Sequence, residues 1–128
     1  MSVTSDSATG LRVIRISERV PDTAPTPGMT REHAIAERGL LAGVVRTEPG
    51  MVSGWHHHGE HDTTIYVAQG TLRMESADGV SDARTGDFIH VPPRTIHRES
   101  NPGDAPNLAV FSRFGEGPVT VNVEEPIA

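Results

Sequence analysis

The 128-residue chain contains no cysteine, which removes disulfides, thiolate nucleophiles and sulfur-ligated metal together. Lysine is missing too: all eleven basic residues are arginine, so Schiff-base chemistry on a lysine is excluded. No apolar run exceeds a few residues, so nothing spans a membrane as a helix. MSVTSDSATG at the start has neither a charged n-region nor an apolar h-region, so no secretory signal is expected and a cytoplasmic location is. No basic patch is visible. With a net charge of −6 and the acids scattered, a nucleic-acid partner is not expected. The length fits one domain with a real core.

What the chain does have is many short runs divided by turn signals. Residues 1–10 are polar and read as disordered. Residues 11–39 form an N-terminal extension of strand and loop. In it LRVIRI (Leu11–Ile16) alternates like a half-buried strand, and the proline-rich Pro21–Gly28 is an extended loop. Met29–Gly39 offers Thr30 as an N-cap and Gly39 as a stop, which predicts one short helix at most. From residue 40 to 128 the texture is uniform. Runs such as TTIYVA, TLRME, DFIHV and NLAVFSRF are separated by QG, ADG, TG and NPGDAP. Short strands at such spacing predict an all-β sandwich or barrel. Asp78-Gly79 is the best hairpin signal.

Chemistry concentrates in GWHHHGEHDTTIYV (Gly54–Val67), where four of the seven histidines lie within six residues. On a strand, His56 and His58 share one face while His57 points away. Two imidazoles spaced this way can grip one metal ion from a rigid backbone. A solvated strand end is the competing reading for that pair alone. A second stretch, GDFIHVPPRTIHRESN (Gly86–Asn101), has a glycine turn, a strand ended by Pro92 and Pro93, and then His97 on a returning strand. Taken alone, His97 reads as a surface residue.

Together the two stretches resemble the paired motifs of the cupin superfamily. The first family motif runs glycine, five residues, His-x-His, three or four residues, glutamate, six residues, glycine; Gly50, His56, His58 and Gly70 stand at its positions. The second runs glycine, five residues, proline-x-glycine, two residues, histidine, three residues, asparagine. Gly86, Pro92, His97 and Asn101 match it, with Arg94 in place of the middle glycine. The fifteen residues Thr71–Thr85 between the motifs are similar to the gap in small single-domain members. The resemblance covers roughly Leu40–Phe114. It implies a jelly-roll β-barrel around one divalent transition metal (Fe, Mn, Zn, Ni, Co or Cu), with His56, His58 and His97 as ligands. The family glutamate is missing, because Thr63 occupies its place and a hydroxyl is a poor ligand for these metals. His61 shares parity with Thr63, Ile65 and Val67, and is the expected substitute. Asp62, Glu60 and a site of only three histidines are the alternatives.

The resemblance further implies a small-molecule metalloenzyme of dioxygenase or oxidoreductase type. A Zn- or Ni-type isomerase or lyase and a non-catalytic metabolite-binding cupin are the alternatives, since one fold hosts many chemistries. A homodimer is expected by analogy, with Leu11–Ile16 as a strand that adds to a partner's sheet. No catalytic residue is assigned; Glu60 and Asp62 are the nearest candidates for a general base if they are not ligands. His57 and His90 are expected on outer faces, His33 in solvent, Arg94 on a surface turn and Asn101 as a turn cap. Trp55 and Tyr66 are expected to serve packing.

Overall fold

Alternation decides the architecture. In Asp62–Gln69, the residues Thr63, Ile65 and Val67 are buried while Asp62, Thr64 and Tyr66 are exposed. Asn107–Phe114 repeats the pattern, burying Asn107, Ala109, Phe111 and Arg113. Period-two burial of this kind builds a sheet with one face on a core. The computed structural model describes residues 10–23 and 26–126. In chain order it contains a 3₁₀ turn (Ile16–Glu18), then β1 (Val20–Pro21), β2 (Met29–Glu37), β3 (Leu40–Thr47), β4 (His56–His57), β5 (Asp62–Gln69) and β6 (Thr71–Ser76). There follow β7 (Gly79–Arg84), β8 (Phe88–Val91), β9 (His97–Ser100), β10 (Asn107–Phe114) and β11 (Val121–Asn122).

Two antiparallel sheets result, in the orders β1-β2-β3-β10-β5-β8 and β11-β4-β9-β6-β7. Ile65, Val67, Val91, Ala109 and Phe111 from the first meet Leu72 from the second, forming the core between them. The expected all-β jelly roll is therefore the fold. The hairpin foreseen at Asp78-Gly79 joins β6 to β7, with Ser76 opposite Gly79.

Three expectations change. Met29–Glu37 is a nine-residue strand, not a helix. It pairs with β3 from Met29↔Thr47 to Glu37↔Leu40, and the hairpin turns through Arg38 (φ 49) and Gly39 (φ 77). A glycine with positive φ ends helices and closes tight hairpins alike, so Gly39 does not tell them apart. Second, Leu11–Ile16 forms no strand. Leu11 is 92% and Ile16 78% exposed, because alternation makes a strand only when a neighbouring ladder accepts it. Third, β1 and β2 belong to the same sheet as β3, so the sheet takes in residues assigned to the extension. The disorder expected for residues 1–10 falls, except for Gly10, outside the described residues.

Candidate metal centre

The histidine pair is built by strand pairing. β4 lies between β11 and β9, with His56 directly opposite His97. Alternation turns His57 the other way, and His58 follows on the face of His56. One ring nitrogen each from His56, His58 and His97 lie within 4.8 Å of one another, and all three residues are buried. The ring centroids are 4.4 to 5.1 Å apart. The adjacent pair His56 and His58 and the distant His97 thus converge on one point.

Backbone carbonyls fix the protons on these rings. His56 Nδ1 lies 2.9 Å from the Gly54 carbonyl, His58 Nδ1 2.7 Å from that of Val119, and His97 Nδ1 2.9 Å from that of Thr95. A carbonyl oxygen only accepts, so each Nδ1 carries the hydrogen and each Nε2 of the neutral ring keeps its lone pair. This is the outer-shell arrangement that orients metal-ligating histidines. His97 Nε2 is buried with no hydrogen-bond partner among the described residues, an unsatisfied acceptor that a bound cation would satisfy. Burial first, and then the Arg113 guanidinium, pushes the His58 pKa down to about 2. Burial likewise lowers that of His97, with the neighbouring His56 adding to the effect. His58 and His97 are therefore held neutral, the form that binds metal. The donor set fits a divalent transition metal, since three neutral imidazoles suit Mn, Fe, Co, Ni, Cu or Zn.

The other candidates fall in distinct places. His61 is buried, at 4% exposure, and its Nδ1 donates to the His58 carbonyl at 3.0 Å, which leaves its Nε2 free as in the other three. It is not one of the clustered three. Thr63, fully buried, has a hydroxyl without a partner among the described residues. Glu60 is exposed and pairs with Arg94, while Asp62 is exposed and pairs with His90 at 2.6 Å. Both general-base candidates thus face outward, because Asp62 has the opposite parity to Thr63 and Glu60 sits in the preceding turn. His57 Nδ1 accepts from the Gly59 amide at 2.9 Å, the reverse of the inward rings. Asn101 caps its turn, accepting from Gly103 N at 2.9 Å. Trp55 packs beneath the Arg98 guanidinium, 4.8 Å from its ring centroid. Exposed Tyr66 stacks on Phe88.

The Cupin_2 family, a cupin domain, matches residues 43–112, which holds His56, His58 and His97 together with the strands that position them. The chain is a cupin. Solved structures agree on the fold. A conserved protein with a double-stranded β-helix domain from Klebsiella pneumoniae is 20% identical, with 91% of this chain and 100% of that one covered and a TM-score of 0.72. The polyketide cyclase RemF from Streptomyces resistomycificus is 17% identical over 89% and 86%, with a TM-score of 0.74. The Bacillus subtilis oxalate decarboxylase, described with Mn(II) centres, is 22% identical over 85% of this chain and 31% of that one, with a TM-score of 0.70. No curated protein matches the sequence. No helix among the described residues of this cupin is long and apolar enough to cross a membrane.

Sequence reasoning missed three residues. A cavity of about 580 Å³ opens beside His56 and His58, and Arg31, His33, Leu41 and Arg113 also line it. His33, expected in solvent, instead meets the edge of Phe111 with ring centroids 6.2 Å apart. Arg113 is 9% exposed, with its guanidinium 4.7 Å from the Phe111 ring centroid. Glu99 has the parity of His97 on β9 and borders the barrel interior. Parity was the available signal for Glu99, which lies two residues from His97.

Proposed function

We propose that this cupin is a metal-dependent enzyme of the oxidoreductase type, in the manner of a dioxygenase, acting on a small organic molecule in the 580 Å³ cavity. The observation that carries this reading is the convergence of three buried imidazole nitrogens within 4.8 Å, with every Nδ1 bound to a carbonyl. His56, His58 and His97 would hold the metal, and His61 is the proposed source of a fourth nitrogen in place of the family glutamate. A bound Fe(II) or Mn(II) would supply the redox chemistry that an O₂-dependent reaction needs. The protein's own contribution is orientation and exclusion of water. The carbonyls of Gly54, Val119 and Thr95 fix the rings, and burial favours the neutral form of His58 and His97. The cavity is of the size that small-molecule sites commonly have.

The reading is tested by metal analysis of the purified protein together with O₂ uptake against enols, thiols and catechols. Metal at about one per chain with O₂ consumption on one substrate class supports it. Turnover without O₂ uptake would move the assignment to an isomerase or lyase. Metal without turnover would move it to a metabolite-binding protein. In the same assay, His61→Ala is expected to lower metal retention, and full retention would limit the site to three histidines.

A further inference from the structure

The segment that follows β10, residues 115–123, runs antiparallel beside the histidine-bearing residues 55–61. Its start is anchored by Gly115 N, which donates to the Gly39 carbonyl at 2.9 Å. A Cβ added at Gly115 would lie 2.9 Å from His61 Cα, and one added at Gly59 would lie 2.9 Å from the Pro118 carbonyl oxygen. Further along, His58 Nδ1 donates to the Val119 carbonyl at 2.7 Å. Val121 and Asn122 then pair with His57 and His56, and Val123 N donates to the Trp55 carbonyl at 3.0 Å. β4 shares two residue pairs with β11 and one with β9, so the position of its backbone depends on this segment. Val119, Thr120 and Asn122 also line the 580 Å³ cavity.

The hold is light. Residues 116–120 are exposed, and β11 is two residues long. A segment held by a few backbone hydrogen bonds, with little apolar burial, opens locally at small cost. It also lies beyond residues 43–112, which match the family. We propose that residues 115–123 form a strap over the cavity, and that closure of the strap and loading of the metal reinforce each other. The closed strap fixes the ring of His58 and the backbone that carries His56. A metal held by both rings would in turn fix the strap's own partners. The factor by which closure tightens metal binding must equal the factor by which metal favours closure. Opening frees one wall of the cavity and gives a ligand its way in. The inference rests on the metal-centre reading, and not on the reaction proposed for that centre.

Amide exchange followed by mass spectrometry tests the coupling, on the chelated protein and after Co(II) loading monitored by visible absorption. Peptides covering residues 116–124 are expected to slow by about tenfold or more on loading. β7, an exposed edge strand paired with β6, opens without disturbing the site and should keep its rate. Gly117→Ala perturbs the strap alone: an added Cβ there has nothing within 4 Å, but the φ of 88° in the closed strap is unfavourable for alanine. This variant is expected to exchange faster in the strap and to bind Co(II) about threefold or more weakly. Strap peptides that do not slow on loading, or that slow no more than β7, overturn the coupling while leaving the metal centre in place. Unchanged Co(II) affinity in Gly117→Ala overturns it as well. Failure of the wild-type protein to bind Co(II) overturns the metal reading, and the coupling with it.

Discussion

Acidifying the metal-free protein from about pH 7.5 to about pH 5 is expected to weaken the fold chiefly through His58. The folded-state pKa of His58 is about 2, against 6.5 for the free side chain. Between those values the unfolded chain binds a proton that the folded chain refuses, so stability falls as the pH drops below about 6.5. The cost at about pH 5 is the 1.5 units below 6.5, or about 2 kcal/mol at 1.36 kcal/mol per unit. His97 shifts in the same direction and adds to it. For a domain of this size, about 2 kcal/mol corresponds to a fall in Tm of roughly 8 °C. Urea unfolding of chelator-treated protein across this range measures the slope, with His58→Gln as the comparison. Carboxylates such as Asp82, held low by the Arg73 side chain, titrate alike in both proteins and cancel. His58→Gln should lose about 2 kcal/mol of the pH dependence. A profile identical to that of the wild type would refute the idea that a buried neutral imidazole drives the effect. Metal at a hundred times its Kd should restore about 2.7 kcal/mol, with the gain shrinking as protons compete for the rings.

Other perturbations probe the frame around the site. Phe111→Ala removes the 2% exposed ring that packs against His33 and Arg113, and should cost about 3–5 kcal/mol by chemical denaturation. Asn101 donates to the carbonyls of Thr47 (3.0 Å) and Ala105 (2.9 Å) and accepts from Gly103 N (2.9 Å). Asn101→Ala leaves those buried groups unpaired and should cost about 2–4 kcal/mol in the same assay. Glu60→Gln and Asp62→Asn each remove an exposed, outward-facing carboxylate, so metal content and stability should stay close to wild type. His97→Ala should lower metal content, measured by elemental analysis; loss of metal in Asp62→Asn instead would move the centre off the histidine cluster.

How much could be read in advance depended on whether a feature was local. The split of His56 and His58 from His57 follows from strand alternation, which backbone geometry enforces wherever a strand forms. Convergence of His97 on that pair needs β4 and β9 to be neighbours, and only the family spacing pointed there. Met29–Gly39 was misread because its signals, a capping threonine and a terminal glycine, serve a helix and a hairpin equally. The deciding contact is β3, a partner that no local window contains. Leu11–Ile16 departs in the opposite sense, since it has the pattern but no ladder neighbour among the described residues of its own chain. Arg113 sits in NLAVFSRF, where Ala109 and Phe111 are buried and Val110 is 41% exposed. Apolar residues stand on both faces of that strand, so hydrophobicity gave no parity until the register was known.

The register also links two departures that look separate in the sequence. Leu41, Arg113, Thr63 and Val91 form one row across β3, β10, β5 and β8. Three of the four are buried, and Leu41 packs against the core. The family pattern implies a glutamate where Thr63 stands. A carboxylate there would sit on the strand beside Arg113 and could compensate both the guanidinium and the metal. With threonine in that position, the negative charges acting on the buried Arg113 guanidinium are Glu99 and then Asp22, which oppose the lowering of its pKa by burial.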